Sequence, residues 1–217
     1  PNRDQDLLQQ KFDPVSKYLS ETTGMTFEYV PVADYAASVT QFKTGDVMMA
    51  WFGGLTGVQA RAEVPGARAF VYGEADPRYK SYFIAHASTG LEKSDDFPAA
   101  VADLPFAFGS EGSTSGRLMP EYFIRKHSGK SPDEFFKEKY VFSGAHDATA
   151  KLVAEGNKVK AGVMDYKTYE GMVERKELDP AVCKVIWVTP GYADYNFTAH
   201  PDLDKVHGAG TTDKIQK

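Results

Sequence analysis

The sequence predicts an α/β fold with mostly parallel sheets flanked by helices. Three observations carry that reading. Short buried apolar runs alternate along the chain with stretches of helical periodicity. Several of those runs end in glycine-, serine- or aspartate-containing loops that lead into the next helix. The chain also has no internal repeat, low-complexity tract or heptad run that would point to another architecture.

Taken in order, Leu7, Leu8, Phe12, Val15 and Leu19 share one face of a helix over about Asp6–Glu21, with Pro14 as a local irregularity. FEYVPV from Phe27 reads as a strand, and Asp34 as the cap of a helix over Tyr35–Lys43. VMMAWFGG from Val47 is a buried strand closed by two glycines, followed by a helix over Leu55–Ala62. ARAFVYG and YKSYFIAH are two further strands, and PFAFGS is a short buried one. Helices are expected near Arg117–Lys126, Pro132–Lys137 and Asp147–Glu155. KAGVMDY is a strand, Lys167–Lys176 a helix, CKVIWVT a strand, and YNFTAH an extended run. The ends read as trimmed. Pro1-Asn2-Arg3-Asp4 looks like a loop and helix cap with no strand before it, and TTDKIQK like a helix start that stops mid-pattern.

The chain has 217 residues, enough for one large domain or two small ones. Its hydrophobic fraction of 42% supports a real core, and its net charge of −5 argues against nucleic acid or an anionic membrane as the main partner. A small anionic ligand remains compatible, because a few local donors decide that. The single cysteine, Cys183, excludes an internal disulfide and a thiolate zinc site. No stretch approaches the roughly 18 apolar residues of a membrane span.

In such folds ligands sit at the carboxyl ends of strands, in loops that enter helices. Four loops there stand out: Trp51-Phe52-Gly53-Gly54, Gly109–Gly116, Ser143–Asp147 and Gly191–Tyr195. The second, GSEGSTSG, places Ser113, Thr114 and Ser115 where a strand hands over to a helix. Helix N-termini expose unpaired N–H groups and a partial positive charge, so a tetrahedral oxyanion is a natural guest. The structural alternative is a plain cap, a task Ser115 could do alone. The loop is not a Walker loop, since Arg117 rather than Lys follows Gly116.

His146 precedes a helix and is either a capping residue or an Nε2–H donor to an oxyanion; Asp147 could be the cap. Trp51, Phe52, Tyr79, Tyr192 and Tyr195 lie beside turns, where aromatic rings either pack the core or wall a small ligand. Asp194 is a turn residue, or it selects a ligand with a proton donor. Arg117, which follows Gly116 into the helix, is expected to face solvent. For catalysis, no Ser-His-Asp order, His-Glu-x-x-His or Gly-x-Ser-x-Gly elbow is present, since Thr114 occupies the elbow's central position. The remaining histidines show no metal spacing, and neither a metal nor a cofactor is expected.

PVADYAASV, DVMMAWFGG, FAFGSEGSTSGRLMP, SGAHDATA and DYN occur in an order that resembles the periplasmic substrate-binding proteins of phosphonate-type ABC importers. That family includes phosphonate and phosphite binders and a branch described as selenate-binding. The resemblance implies a two-lobed fold of the periplasmic-binding type, with a ligand cleft between lobes. Residues 1–83 with 190–217 would form one lobe, without its first strand and last helices. Residues 84–189 would form the other, with a hinge near 81–86 and 186–192.

It further implies an anion held by Ser113, Thr114, Ser115 and His146, with Phe52, Gly53, Tyr79 and Tyr195 around it and Asp165 and Asp194 near an aminoalkyl arm. Phe52 stands where phosphonate binders often carry tyrosine; with SGAHDATA and DYN this leans toward the selenate branch. The function so implied is that of an extracytoplasmic solute-binding protein, a monomer in the periplasm that serves an inner-membrane ABC permease and binds a small oxyanion without catalysis. An effector domain of a regulator or sensor with the same fold is the alternative. A phosphoryl-transfer enzyme lacks a paired base and a magnesium carboxylate pair.

Overall fold

The structure, a computed structural model, describes residues 5–217; the loop and cap expected at Pro1–Asp4 lie outside the described residues. The chain divides into two compact units. One comprises the described residues up to Pro77 together with Asp194–Lys217, the other Arg78–Ala193. β3 and β7, on which the expected hinge segments fall, pair with each other inside the second unit.

The first unit opens with α1 (Gln5–Thr23), which runs through Pro14 without a break. FEYVPV is irregular rather than a strand. Pro31 has no N–H to give a ladder, the N–H of Phe27 is taken by Ser20 Oγ at 2.9 Å, and the Tyr29 ring stacks on Phe12 of α1. Asp34 caps α2 (Tyr35–Thr44) by accepting from Ala37 N–H at 2.7 Å. β1 (Met49–Phe52), α3 (Gly54–Glu63) and β2 (Arg68–Val71) follow. The chain returns to this unit in β8 (Asn196–Ala199), which lies between β1 and β2 and is antiparallel to both. The short helices α8 (Asp202–His207) and α9 (Thr211–Gln216) close it.

The second unit is built on a five-stranded sheet, ordered β5-β4-β6-β3-β7. Its strands are β3 (Ser81–His86), β4 (Phe106–Phe108), β5 (Val141–Phe142), β6 (Ala161–Asp165) and β7 (Cys183–Val188). β4 is parallel to β5 and β6, whereas β3 is antiparallel to β6 and β7. The helices are α4 (Met119–Ser128), α5 (Pro132–Phe135), α6 (His146–Glu155) and α7 (Tyr166–Glu174).

The expectation of mostly parallel sheets therefore needs a correction. In each unit one reversed strand, β3 or β8, separates strands that run the same way, so most ladders are antiparallel. The register gives the reason. Ser81 at the start of β3 lies opposite Asp165 at the end of β6, and Asn196 at the start of β8 lies opposite Phe52 at the end of β1. The chain enters each unit at the carboxyl ends of its parallel strands, so the entering strand can only run back the other way. That same entry point sets residues 78–81 beside the loops where a ligand is expected.

Successive residues of a strand face opposite sides of the sheet, and β3 shows it. Ile84 joins an apolar cluster with Ala150 and Val153 of α6 and Met172 of α7, while Phe83 meets Phe97, Phe106 and Trp187 edge-on or tilted. Gly162 of β6 sits where α6 presses closest. A Cβ there would lie 2.8 Å from Thr149 Cγ2 and 2.9 Å from the Ala107 carbonyl oxygen. The second contact is backbone and cannot swing aside. Gly162→Ala is expected to cost about 1–3 kcal/mol as overpacking. The melting temperature should then fall by roughly 2–4 °C per kcal/mol, as read by thermal unfolding, whereas an unchanged midpoint would show that α6 can move away freely.

Candidate functional site

In the second unit the carboxyl ends of β4, β5 and β6 bring three loops together. Ser143 N–H bonds the Phe108 carbonyl at 3.0 Å and Gly144 N–H the Gly109 carbonyl at 3.2 Å, which lays the β5 loop along the β4 loop. β6 ends at Asp165, the N-cap of α7.

The β4 loop feeds a π-helical turn, Thr114–Leu118, that widens the start of α4. Its first intrahelical bond runs from Leu118 N–H to the Ser113 carbonyl, at 3.0 Å. The N–H groups of Thr114, Ser115, Gly116 and Arg117 lie ahead of that bond. Such turns recur at functional sites. Ser113, not Ser115, is the cap: its Oγ accepts from Gly116 N–H at 2.9 Å. Ser115 is thereby released, and its Oγ lies 3.3 Å from His146 Nε2. Ser113, Thr114, Ser115 and His146 are all nine-tenths or more buried.

His146 is the first residue of α6, whose N-cap is Ala145, so neither His146 nor Asp147 caps that helix. Asp147 instead pairs with Lys151 one turn on. The imidazole has a defined orientation. Its Nδ1 accepts from the backbone N–H of Asp165 at 3.2 Å, and its Nε2 lies 3.6 Å from Asp165 Oδ2. A ring nitrogen that accepts carries no proton, so this geometry selects the neutral tautomer with Nε2–H as donor.

Asp165, fully buried, is surrounded by donors. Tyr79 O–H and Thr168 N–H each reach Oδ1 at 2.9 Å, and Thr168 Oγ1 reaches Oδ2 at 2.5 Å. Ser81 Oγ donates to the Ser115 carbonyl at 2.7 Å and lies 2.6 Å from Tyr192 Oη. The sequence reading missed Ser81 and Thr168. Ser81 had a signal: it is a serine on the same strand face as Phe83 and Ala85. Thr168 had another, since Asp165 and Thr168 have the spacing of a helix cap and its third residue. Lys167 was also missed; its ammonium lies 5.4 Å from the centre of the Tyr79 ring.

Arg117 does not face solvent. Its guanidinium lies 4.6 Å over the Phe108 ring and within 6 Å of the Tyr140 and Phe142 rings, and it pairs with Glu121. Burial, the largest effect, raises the Tyr140 hydroxyl above the usual phenol value, against the lowering influence of Arg117.

The remaining expected residues belong to the first unit. Phe52 is buried, packs edge-on to Phe42 at 5.3 Å and joins Ala60 and Val64 in that unit's core. Gly53 is the N-cap of α3 and has no side chain to cap with. Asp194 supplies one from 140 positions away, its Oδ1 accepting from Gly54 N–H at 2.9 Å. Tyr195 stacks flat on Trp51 at 5.9 Å. Among the described residues no group of three or more His, Cys, Asp or Glu side chains is placed to hold a metal ion, and no helix is long and apolar enough to cross a membrane.

A two-unit α/β chain with a buried, donor-rich helix start agrees with the solute-binding class that the sequence motifs resemble. The chain belongs, in particular, to the periplasmic substrate-binding proteins of phosphonate ABC transporters, whose family pattern matches residues 1–216. These are substrate-binding components, not enzymes.

Over its whole length the chain is 37% identical to the probable ABC transporter phosphite binding protein PhnD1 of Prochlorococcus marinus and spans 73% of that protein. It is 28% identical to the phosphate-import protein PhnD of Mycolicibacterium smegmatis, with 96% of this chain and 65% of that one aligned. The structure of PhnD1 in complex with methylphosphonate superposes with a TM-score of 0.91, over 100% of this chain and 79% of that one. Neither the lean toward selenate nor the regulator alternative draws support from these relatives, which are named for phosphite and phosphate and one of which is seen in complex with methylphosphonate.

The tautomer gives a direct check. In a 15N-labelled sample near neutral pH, His146 should show a protonated Nε2 and an unprotonated Nδ1 in long-range proton–nitrogen spectra. The reverse assignment, or a doubly protonated ring, would contradict the bond from Asp165 N–H.

Proposed function

We propose that the chain is the solute-binding component of an ABC importer and takes a small phosphonate or phosphite. The oxyanion sits at the π-helical turn, held by the hydroxyls and amides of Ser113–Ser115 and by His146 Nε2–H. The observation that carries this reading is the buried turn itself, whose leading amides and Ser115 hydroxyl converge with the histidine. The family match and the likeness to PhnD1 support it. Tyr79 contributes through Asp165. The protein works in the periplasm with an inner-membrane permease, as a monomer.

Asp165 also bears on the ligand's organic arm. A carboxylate already met by Tyr79 and two groups of Thr168 has little capacity left for an ammonium group. Asp194 gives Oδ1 to Gly54. On the Asp165 side the ligand is accordingly a small phosphonate or phosphite without an amine.

A thermal-shift panel tests this. A ligand at about a thousand times its dissociation constant adds about 4 kcal/mol, or roughly 8 °C or more for a chain of this size. Methylphosphonate or phosphite should give that shift, 2-aminoethylphosphonate a clearly smaller one, and selenate and sulfate none. Hydrogen bonds to charged groups are worth roughly 1.5–3 kcal/mol, so Thr114→Ala should weaken binding about tenfold or more by calorimetry. A panel in which no phosphorus oxyanion moves the transition would reduce the Ser113–Ser115 turn to a helix cap.

A further inference from the structure

Behind the candidate site runs a chain of hydrogen bonds that the sequence did not suggest and that ends at Ser113. Tyr192, Ser81 and Ser115 are buried, the two serines completely. Ser81 donates its one proton to the Ser115 carbonyl at 2.7 Å, and a carbonyl can only accept. In the 2.6 Å contact between Ser81 and Tyr192, the tyrosine must then be the donor. The Ser115 carbonyl shares its peptide unit with Gly116 N–H, which donates to Ser113 Oγ at 2.9 Å. Ser113 Oγ accepts there, so its own proton is directed elsewhere.

Every bond in this chain points the same way: from Tyr192 O–H to Ser81 O–H, to the Ser115–Gly116 peptide, to Ser113 O–H. Aligned hydrogen bonds polarise one another, and the effect is larger where the dielectric is low. Resting on the proposed binding of an oxyanion at Ser113–Ser115, we infer that Tyr192 and Ser81 are positioning residues that fix the Ser115–Gly116 peptide and strengthen Ser113 as a donor to the anion.

The location of Tyr192 strengthens the inference. It exchanges backbone hydrogen bonds with Tyr79, at 2.8 and 3.0 Å, next to the two points where the chain passes between the units. Tyr79 O–H leads through Asp165 and His146 to the Ser115 hydroxyl. Tyr192 leads through Ser81 to the Ser115 carbonyl. Two adjacent tyrosines thus hold the same serine by its two oxygens.

The test uses Tyr192→Phe, which removes one oxygen and keeps the ring, and Ser81→Ala, singly and together in the full chain. Calorimetry with methylphosphonate, phosphite and phosphate measures affinity, and 15N spectra of the ligand-free proteins follow the Gly116 amide. Each single variant should bind about fivefold more weakly, the ratio that one ordinary hydrogen bond is worth. Tyr192→Phe should add nothing once Ser81 is alanine, because its path to Ser115 is then cut. The Gly116 nitrogen resonance should move in all three variants.

Wild-type affinity in both single variants would overturn the inference. So would weakened binding with an unmoved Gly116 resonance and additive losses, the pattern of general loosening. If the wild-type chain binds none of the three oxyanions, the anion reading itself fails, and the relay has no ligand to act on.

Discussion

Gly109 and Gly116 lie back to back, and the candidate site depends on that approach. Gly109 N–H bonds the Gly116 carbonyl at 2.9 Å, and a Cβ on Gly116 would come within 3.2 Å of Gly109 Cα and 3.0 Å of both His146 Cε1 and Ser113 Oγ. With the two backbones locked together, the chain between them must close in a wide turn, and the first helical bond spans five residues instead of four. From that one constraint follow the cap at Ser113, the release of Ser115 toward His146, and the exposure of the Ser115 carbonyl to Ser81. A tighter α-helical start would leave one fewer leading amide.

Asp165 organises the other side. A fully buried carboxylate is costly unless hydrogen bonds replace its water, and here Tyr79 and Thr168 do so while the residue caps α7. The same residue's backbone N–H fixes the tautomer of His146. One position therefore holds an acidic group in place, orients a tyrosine and decides which histidine nitrogen carries the proton. Its structural duty and its relation to the site are one arrangement.

Much of the architecture was legible because the elements carry strong local signals. Asp34, the apolar period of α6 and the Gly-Ser-Thr run each announce their structure within a few residues. What was not legible depends on distant pairing. β5 is two exposed residues, Val141 and Phe142, and becomes a strand only because β4 lies beside it. The reversal of β3 and β8 is set by where the chain enters each unit, which no local pattern encodes. FEYVPV has strand composition and finds no strand partner among the described residues. At the site, Ser113–Ser115 and His146 were readable as a motif, but the choice of Ser113 as cap was not, because it turns on the contact between Gly109 and Gly116. Asp194 read as a turn residue or a ligand contact; its carboxylate serves α3, whose own cap is a glycine, across a separation no sequence window covers.

The treatment of Arg117 bears on how an anion would be chosen. A guanidinium lies three residues from Thr114, yet aromatic faces and Glu121 occupy it. A cation at the turn would attract any small anion through its charge alone, and sulfate or chloride would gain as much as a phosphonate. Neutral hydroxyls, amides and an Nε2–H instead reward a ligand for the number and direction of its acceptor oxygens, since an unmatched buried donor costs more than a made bond returns. A phosphonate or phosphite presents three oxygens to such a ring and one substituent that needs no partner. On this argument selectivity would come from leaving the charge to oriented dipoles, and the packing that removes Arg117 from the turn would contribute to it.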